Sequence, residues 1–180
     1  PTILPGCDSD ITKEATRIFA KQGLELHTGT KVTGGHRDGA RVVIGTEQNG
    51  AARTFGADYV LVAIGRRPAL TGIDPKTLGL ELGTRGEVIV DDQLRTNLPN
   101  VFAIGDAVGG KLLAHKAEEE GVIAAEVIAG QKAHMHYKNM PGVVYTWPEV
   151  AMCGLTEAEV KASGVKYKVG KYPFSANGRA

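Results

Sequence analysis

Thr96-Asn97-Leu98-Pro99-Asn100-Val101-Phe102-Ala103-Ile104-Gly105-Asp106 is the stretch that decides the fold. A short apolar run, Asn100 to Ile104, stops on a glycine and a carboxylate. Gly109-Gly110 then open a periodic segment, about Leu112 to Ala129, that Gly130 closes. A short apolar run without alternation reads as a strand buried on both faces, as in a parallel sheet covered by helices. The carboxyl end of such a strand, beside the next helix, is where open α/β sheets receive ligands. There an Asp carboxylate can bind ligand hydroxyls, and the helix N-terminus offers free N–H groups to a negative ligand group. An Asp that only caps the following turn and helix fits the same local pattern, and these residues alone leave both readings open.

A second run of the same kind is Asp58-Tyr59-Val60-Leu61-Val62-Ala63-Ile64, which stops at Gly65-Arg66-Arg67-Pro68. It too predicts a buried parallel strand. Gly65 lets a cofactor approach the backbone, or it serves only as a turn glycine before a proline. The helix after Gly109-Gly110 has small residues at Ala114, Ala117, Gly121, Ala124 and Ala125, with Ile128 on the same stripe. That stripe predicts close packing on a neighbour, with Glu118-Glu119-Glu120 on a solvated face. His115 and Glu120 lie about 500° apart on that helix and do not stack as a base and its orienter.

Upstream, Ile11, Ala15, Ile18, Phe19 and Gln22 recur at helical spacing, predicting a helix over Asp10 to Gln22 with Gly23 after its end. Short β-like runs follow at Leu24–His27, Lys31–Thr33, Arg41–Thr46 and Ala52–Phe55, separated by the turn-rich 34–39 and 48–50, which suits a meander of hairpins. Past Met140-Pro141-Gly142 the pattern changes to a strand over Val143–Trp147, a helix over Thr156–Ser163 and a strand over Tyr167–Tyr172. A domain boundary near residue 140 is expected.

Composition narrows the class. Lys plus Arg number 21 and Asp plus Glu 20, for a net charge of +1, which leaves no electrostatic footprint for nucleic acid. No apolar run approaches the roughly 20 residues of a membrane span. The two cysteines, Cys7 and Cys153, make neither a disulfide framework nor a metal cluster. No Gly-x-Gly-x-x-Gly, Gly-x-Ser-x-Gly, His-Glu-x-x-His or Cys-x4-Cys occurs, so no complete catalytic or metal-binding set is expected within these residues. Glycine is the exception, at 24 residues in 180, about twice the usual share.

Four stretches in register resemble the FAD-dependent pyridine-nucleotide disulfide reductases. Thr54 to Pro68 is similar to their Gly-Arg-x-Pro motif, and Thr96 to Asp106 to the second FAD motif. Leu112-Leu113-Ala114-His115-Lys116-Ala117-Glu118-Glu119-Glu120-Gly121 and Met140 to Ala151 resemble the dihydrolipoamide dehydrogenase (E3) branch. The resemblance implies an α/β fold: parts of two Rossmann-like FAD- and NAD-binding domains plus the start of an α+β dimerisation domain. It divides the chain into 1–66, the C-terminal part of the NAD-binding domain; 67–139, the C-terminal part of the FAD-binding domain; and 140–180, the start of the dimerisation domain.

The implied cofactors are FAD and NAD. Asp106 would hydrogen-bond the FAD ribityl chain. Leu112, Leu113, Ala114 and His115 would form the flavin-facing start of the helix, and Val32 and Gly65 would line the NAD site. The implied reaction oxidises dihydrolipoamide through a Cys disulfide and FAD, with hydride passed to NAD⁺. The implied partners are a second copy in a homodimer and the lipoyl domains and E2 core of 2-oxo-acid dehydrogenase complexes, with no nucleic acid and no membrane. The implied compartment is the cytoplasm, or the mitochondrial matrix in a eukaryote. The family's redox Cys pair and His-x4-Glu acid–base pair are absent here, so the chain is expected to be a central-to-C-terminal fragment, inactive alone. Other disulfide reductases, of the mercuric or glutathione type, and a non-catalytic fragment are the alternatives.

Overall fold

The computed structural model describes residues 2–178, which fall into two compact units, 30–142 and 2–29 with 143–178. In the first, strands β1 (Lys31–Asp38), β2 (Arg41–Gln48) and β3 (Ala51–Ala57) form an antiparallel meander in the order β1-β2-β3. Asn49-Gly50 makes the second turn with both residues at positive φ, 51° and 79°, the backbone a two-residue hairpin favours. The expected turn over 34–39 is shorter than the glycines suggest, because residues 34–38 pair within β1. A Cβ at Gly35 would stand 2.8 Å from Ile44 Cδ1, so this glycine makes room for a cross-strand side chain. Thr33 is an extra residue in the β1–β2 register, a bulge.

The rest of this unit is held by short helices and turns. Helix α2 (Pro75–Leu78) is capped by Asp74, which accepts from Lys76 N at 3.1 Å. Asn97 ties two loops together, accepting from Glu81 N at 2.9 Å and donating to Gly79 O at 2.8 Å. Helix α3 (Ala114–Ile128) buries Ile123, Ala124 and Val127 against Leu94, which is 1% exposed.

Neither apolar run becomes a strand. Residues 58–64 are irregular, with Leu61, Val62 and Ile64 exposed. Asn100–Ile104 makes a single bridge, Arg95 to Phe102, and Val101 and Ile104 remain partly exposed. A strand closes its backbone hydrogen bonds only against a neighbouring strand, and among the described residues no parallel neighbour pairs with either run.

In the second unit, α1 (Ser9–Lys21) buries Thr12, Ala15 and Phe19, while Ile11 and Gln22 of the expected stripe stay exposed. Gly23 follows at φ 90°. Ala15, Phe19 and Val150 form the core, with Ile18 and Val144 packed on it. Strand β4 (Gly142–Val144) pairs with β5 (Val150–Met152), shorter than the expected strand to Trp147. Helix α4 (Glu157–Ala162) begins in a capping box: Thr156 Oγ1 accepts from Glu159 N, and Glu159 Oε2 accepts from Thr156 N at 2.7 Å. Leu24–His27 and Tyr167–Tyr172 are not strands. Among the described residues no helix is long and apolar enough to cross a membrane.

Candidate functional site

Five of the seven expected site residues sit on one corner. Gly105–Val108 is a 3-10 turn, and α3 packs against it. Gly105, Gly109 and Gly110 adopt positive φ of 69°, 72° and 71°, conformations glycine reaches without strain. At two of them a side chain would also be crowded. A Cβ on Gly105 would lie 3.2 Å from Ala117 Cβ, and one on Gly109 the same distance from Glu87 Cβ. Asp106 thus sits in a glycine-rich turn that packs against α3.

Asp106 is exposed, and its carboxylate meets no donor among the described residues. The reading of Asp106 as a helix cap is thereby excluded: the α3 N-cap is Leu113, with no side-chain cap and no acidic residue in the first turn. An open carboxylate and uncapped helical N–H groups thus lie close together in sequence. That donor and acceptor set fits a ligand carrying both hydroxyls and negative charge.

Leu112 and Leu113 are half-buried, whereas Ala114 and His115 are exposed. His115 Nε2 lies 2.9 Å from Pro141 O, and since a carbonyl only accepts, Nε2 is the protonated nitrogen in that contact. Lys111 Nζ donates to Met140 O at 2.9 Å. Val32 and Gly65 are not part of this corner: Val32 is exposed on β1, and Gly65, at φ 125° with open space around it, lies in the irregular segment.

Beneath the corner is a cluster the sequence reading missed. Glu120 does not belong to a solvated face; it is 0% exposed, and Lys116 is 1% exposed. Lys116 Nζ donates to both Glu120 oxygens, at 2.8 and 2.9 Å, and to Gly105 O at 3.1 Å. Glu120 Oε2 accepts from Gly105 N at 2.6 Å, and Oε1 accepts from Tyr137 OH at 2.7 Å. All three ammonium donors are used, which a buried ion pair requires to offset its desolvation. The small stripe is correct only in part: Ala117 and Gly121 lie against Gly105 and Ile104, while Ala114, Ala125 and Ile128 face solvent. The available signal was the spacing Lys116, Glu120, Ile123, Val127, a helical face whose two charges are i,i+4 partners.

The Tyr137 phenol is raised above its ordinary range, first by burial and then by its hydrogen bond to, and the charge of, Glu120. The folded state favours the protonated form. This contribution to stability is therefore intact below pH about 10 and is lost as pH climbs toward the raised folded value. In a spectrophotometric phenolate titration, Tyr137→Phe should remove one late-titrating tyrosine and leave the earlier ones in place.

Comparison with known proteins gives the corner a family. The profile described as pyridine nucleotide-disulphide oxidoreductase matches residues 1–121, and that family's dimerisation-domain profile matches 140–180. Dihydrolipoamide dehydrogenase from Chaetomium thermophilum is 46% identical over 178 residues, covering 98% of this chain and 35% of the relative. Mitochondrial dihydrolipoyl dehydrogenase from Homo sapiens is also 46% identical, covering 97% of this chain and 35% of the relative. The chain thus spans about a third of the length of these curated relatives. Among solved structures, the HOCl-induced flavoprotein disulfide reductase RclA from Escherichia coli matches at TM-score 0.84 and 27% identity, covering 98% of this chain and 40% of that one. The α/β class expected from the sequence is that of these proteins, and the chain belongs to the pyridine nucleotide-disulphide oxidoreductase family.

Proposed function

We propose that these residues form the cofactor-holding middle of a dihydrolipoamide dehydrogenase, with Asp106 and the start of α3 holding FAD. The observation that carries this is the open Asp106 carboxylate, set among left-handed glycines beside an uncapped helix start. The 43–46% identity to dihydrolipoyl dehydrogenases, against 27% to RclA, favours this reading over other disulfide reductases.

In this reading the Asp106 carboxylate accepts hydrogen bonds from the hydroxyls of the ribityl chain. The uncapped N–H groups of α3 stand toward negative charge on the flavin, with Leu112, Leu113, Ala114 and His115 forming that wall. Val32 and Gly65 serve NAD, Gly65 by leaving its backbone open to close approach. The chemistry that FAD supplies when bound is two-electron transfer between a dithiol and NAD⁺. The chain's own residues bind and orient; neither Cys7 nor Cys153 has a nearby cysteine in sequence with which to form a redox pair. Residues 1–66, 67–139 and 140–180 then belong to the NAD-binding, FAD-binding and dimerisation domains, and the last supports a homodimer. Lipoyl domains and the E2 core of 2-oxo-acid dehydrogenase complexes are the partners that this activity calls for, in the cytoplasm or the mitochondrial matrix.

The test is made on the full-length gene product. The purified protein should show a flavin absorption spectrum and should form NADH from NAD⁺ with dihydrolipoamide. A colourless protein with no such activity would refute the reading, and NADPH-driven reduction of glutathione disulfide or mercuric ion in its place would move it to another reductase.

A further inference from the structure

Lys116, Glu120 and Tyr137 take no part in the cofactor contacts proposed above, yet the first two both bind the backbone of Gly105 and the third binds Glu120. Glu120 Oε2 holds the N–H of Gly105, and Lys116 Nζ holds its C=O. We infer that the buried Lys116–Glu120 pair, braced by the Tyr137 hydroxyl, positions Asp106 by fixing both peptide planes that flank Gly105. The inference rests on Asp106 holding FAD.

The geometry gives the reason. Gly105 sits at φ 69° and lacks a side chain to restrain it, so its backbone is otherwise free to rotate between both signs of φ. In a trans peptide the C=O of one residue and the N–H of the next point in opposite directions. With the Gly105 C=O bound to Lys116, the Asp106 N–H must point away from the ion pair; the Asp106 C=O accepts from Gly109 N at 3.1 Å, so the turn that carries the Asp106 side chain starts from a fixed peptide plane. Stability alone gives no need for charges here, since apolar residues of similar volume are often as stabilising as a buried ion pair. What apolar residues lack is an acceptor for the Gly105 N–H and a donor for its C=O. Tyr137 satisfies the remaining lone pair of Glu120 Oε1, keeping the carboxylate oriented toward Gly105.

The test is a double-mutant cycle in the full-length flavoprotein, read as the rate of FAD release and the visible circular dichroism of bound flavin. Lys116→Met with Glu120→Gln removes both charges, preserves shape and leaves Gly105 C=O without its donor. FAD should leave about tenfold faster, the scale of one charge-assisted hydrogen bond, with an altered flavin dichroism. Placed in an Asp106→Ala background, the same pair of substitutions should add less than about twofold, because residues acting through one another are not additive. An equal effect in both backgrounds would overturn the inference, as the pair would then act on folding alone. Tyr137→Phe, which removes one hydroxyl, is the milder arm and decides the matter if the double variant does not fold. It should change the dichroism and speed release only when Asp106 is present. If the unsubstituted protein holds FAD and both variants release it at the parent rate, only this inference falls; if the unsubstituted protein holds no FAD, the functional reading falls with it.

Discussion

Asp106→Ala in the full-length protein weakens FAD retention about 100-fold, as two lost charge-assisted hydrogen bonds of about 1.5 kcal/mol each require. The measurement is the flavin-to-protein ratio after dialysis against increasing dilution, followed by titration of the stripped protein with FAD. Folding should be nearly untouched. The carboxylate is exposed and meets no donor among the described residues, and surface changes away from any specific contact stay within about 0.5 kcal/mol. A large loss of cofactor with an unchanged denaturation midpoint of the apoprotein is therefore the expected signature. Full flavin retention by Asp106→Ala would remove Asp106 from the site.

Lys116→Ala, by contrast, acts strongly on folding. It leaves the Glu120 carboxylate, 0% exposed, buried without its counter-charge, and breaking a buried pair from one side costs about 3–5 kcal/mol. In urea denaturation the unit containing residues 30–142 should unfold well before that of the parent protein. The paired substitution Lys116→Met with Glu120→Gln should be much milder, since it removes both charges at once. An unchanged midpoint for Lys116→Ala would mean that Lys116 and Glu120 are hydrated in solution. The two substitutions thus separate by their effect on folding: Asp106 faces solvent with little structural duty, and Lys116 is enclosed with a large one.

What could be read in the sequence follows how far along the chain each interaction reaches. Helix α1 was legible because its period and the glycine behind it are local. The Asn49-Gly50 turn was legible because its dipeptide dictates its backbone, and α4 because Thr156 and Glu159 cap it across three residues. The corner at Gly105-Asp106 was legible because the glycines, carboxylate and helix start are consecutive. The apolar run at 58–64 was misread as a strand because its hydrophobicity marks a need for strand neighbours without supplying them. Gly34-Gly35 was misread as a turn because the reason for those glycines, the Ile44 side chain, lies across the sheet on β2.

The family, the long helices α1 and α3 with the hairpins between them, and a carboxylate just after a glycine ahead of a helix were all legible from the residues alone. The local features depend on residues a few positions apart, whose dihedral and capping preferences act without help from the rest of the chain, and the family on four motifs in order along it. That Asp106 is open rather than a cap, and that α3 turns Lys116 and Glu120 inward while Ala125 and Ile128 face solvent, depends on long-range packing. Burying a charge is favourable only when its partners are already in place. For Glu120, Lys116 is a partner within helical reach, but the backbone of Gly105, fifteen residues upstream, and Tyr137, seventeen downstream, are not, and only folding closes those distances.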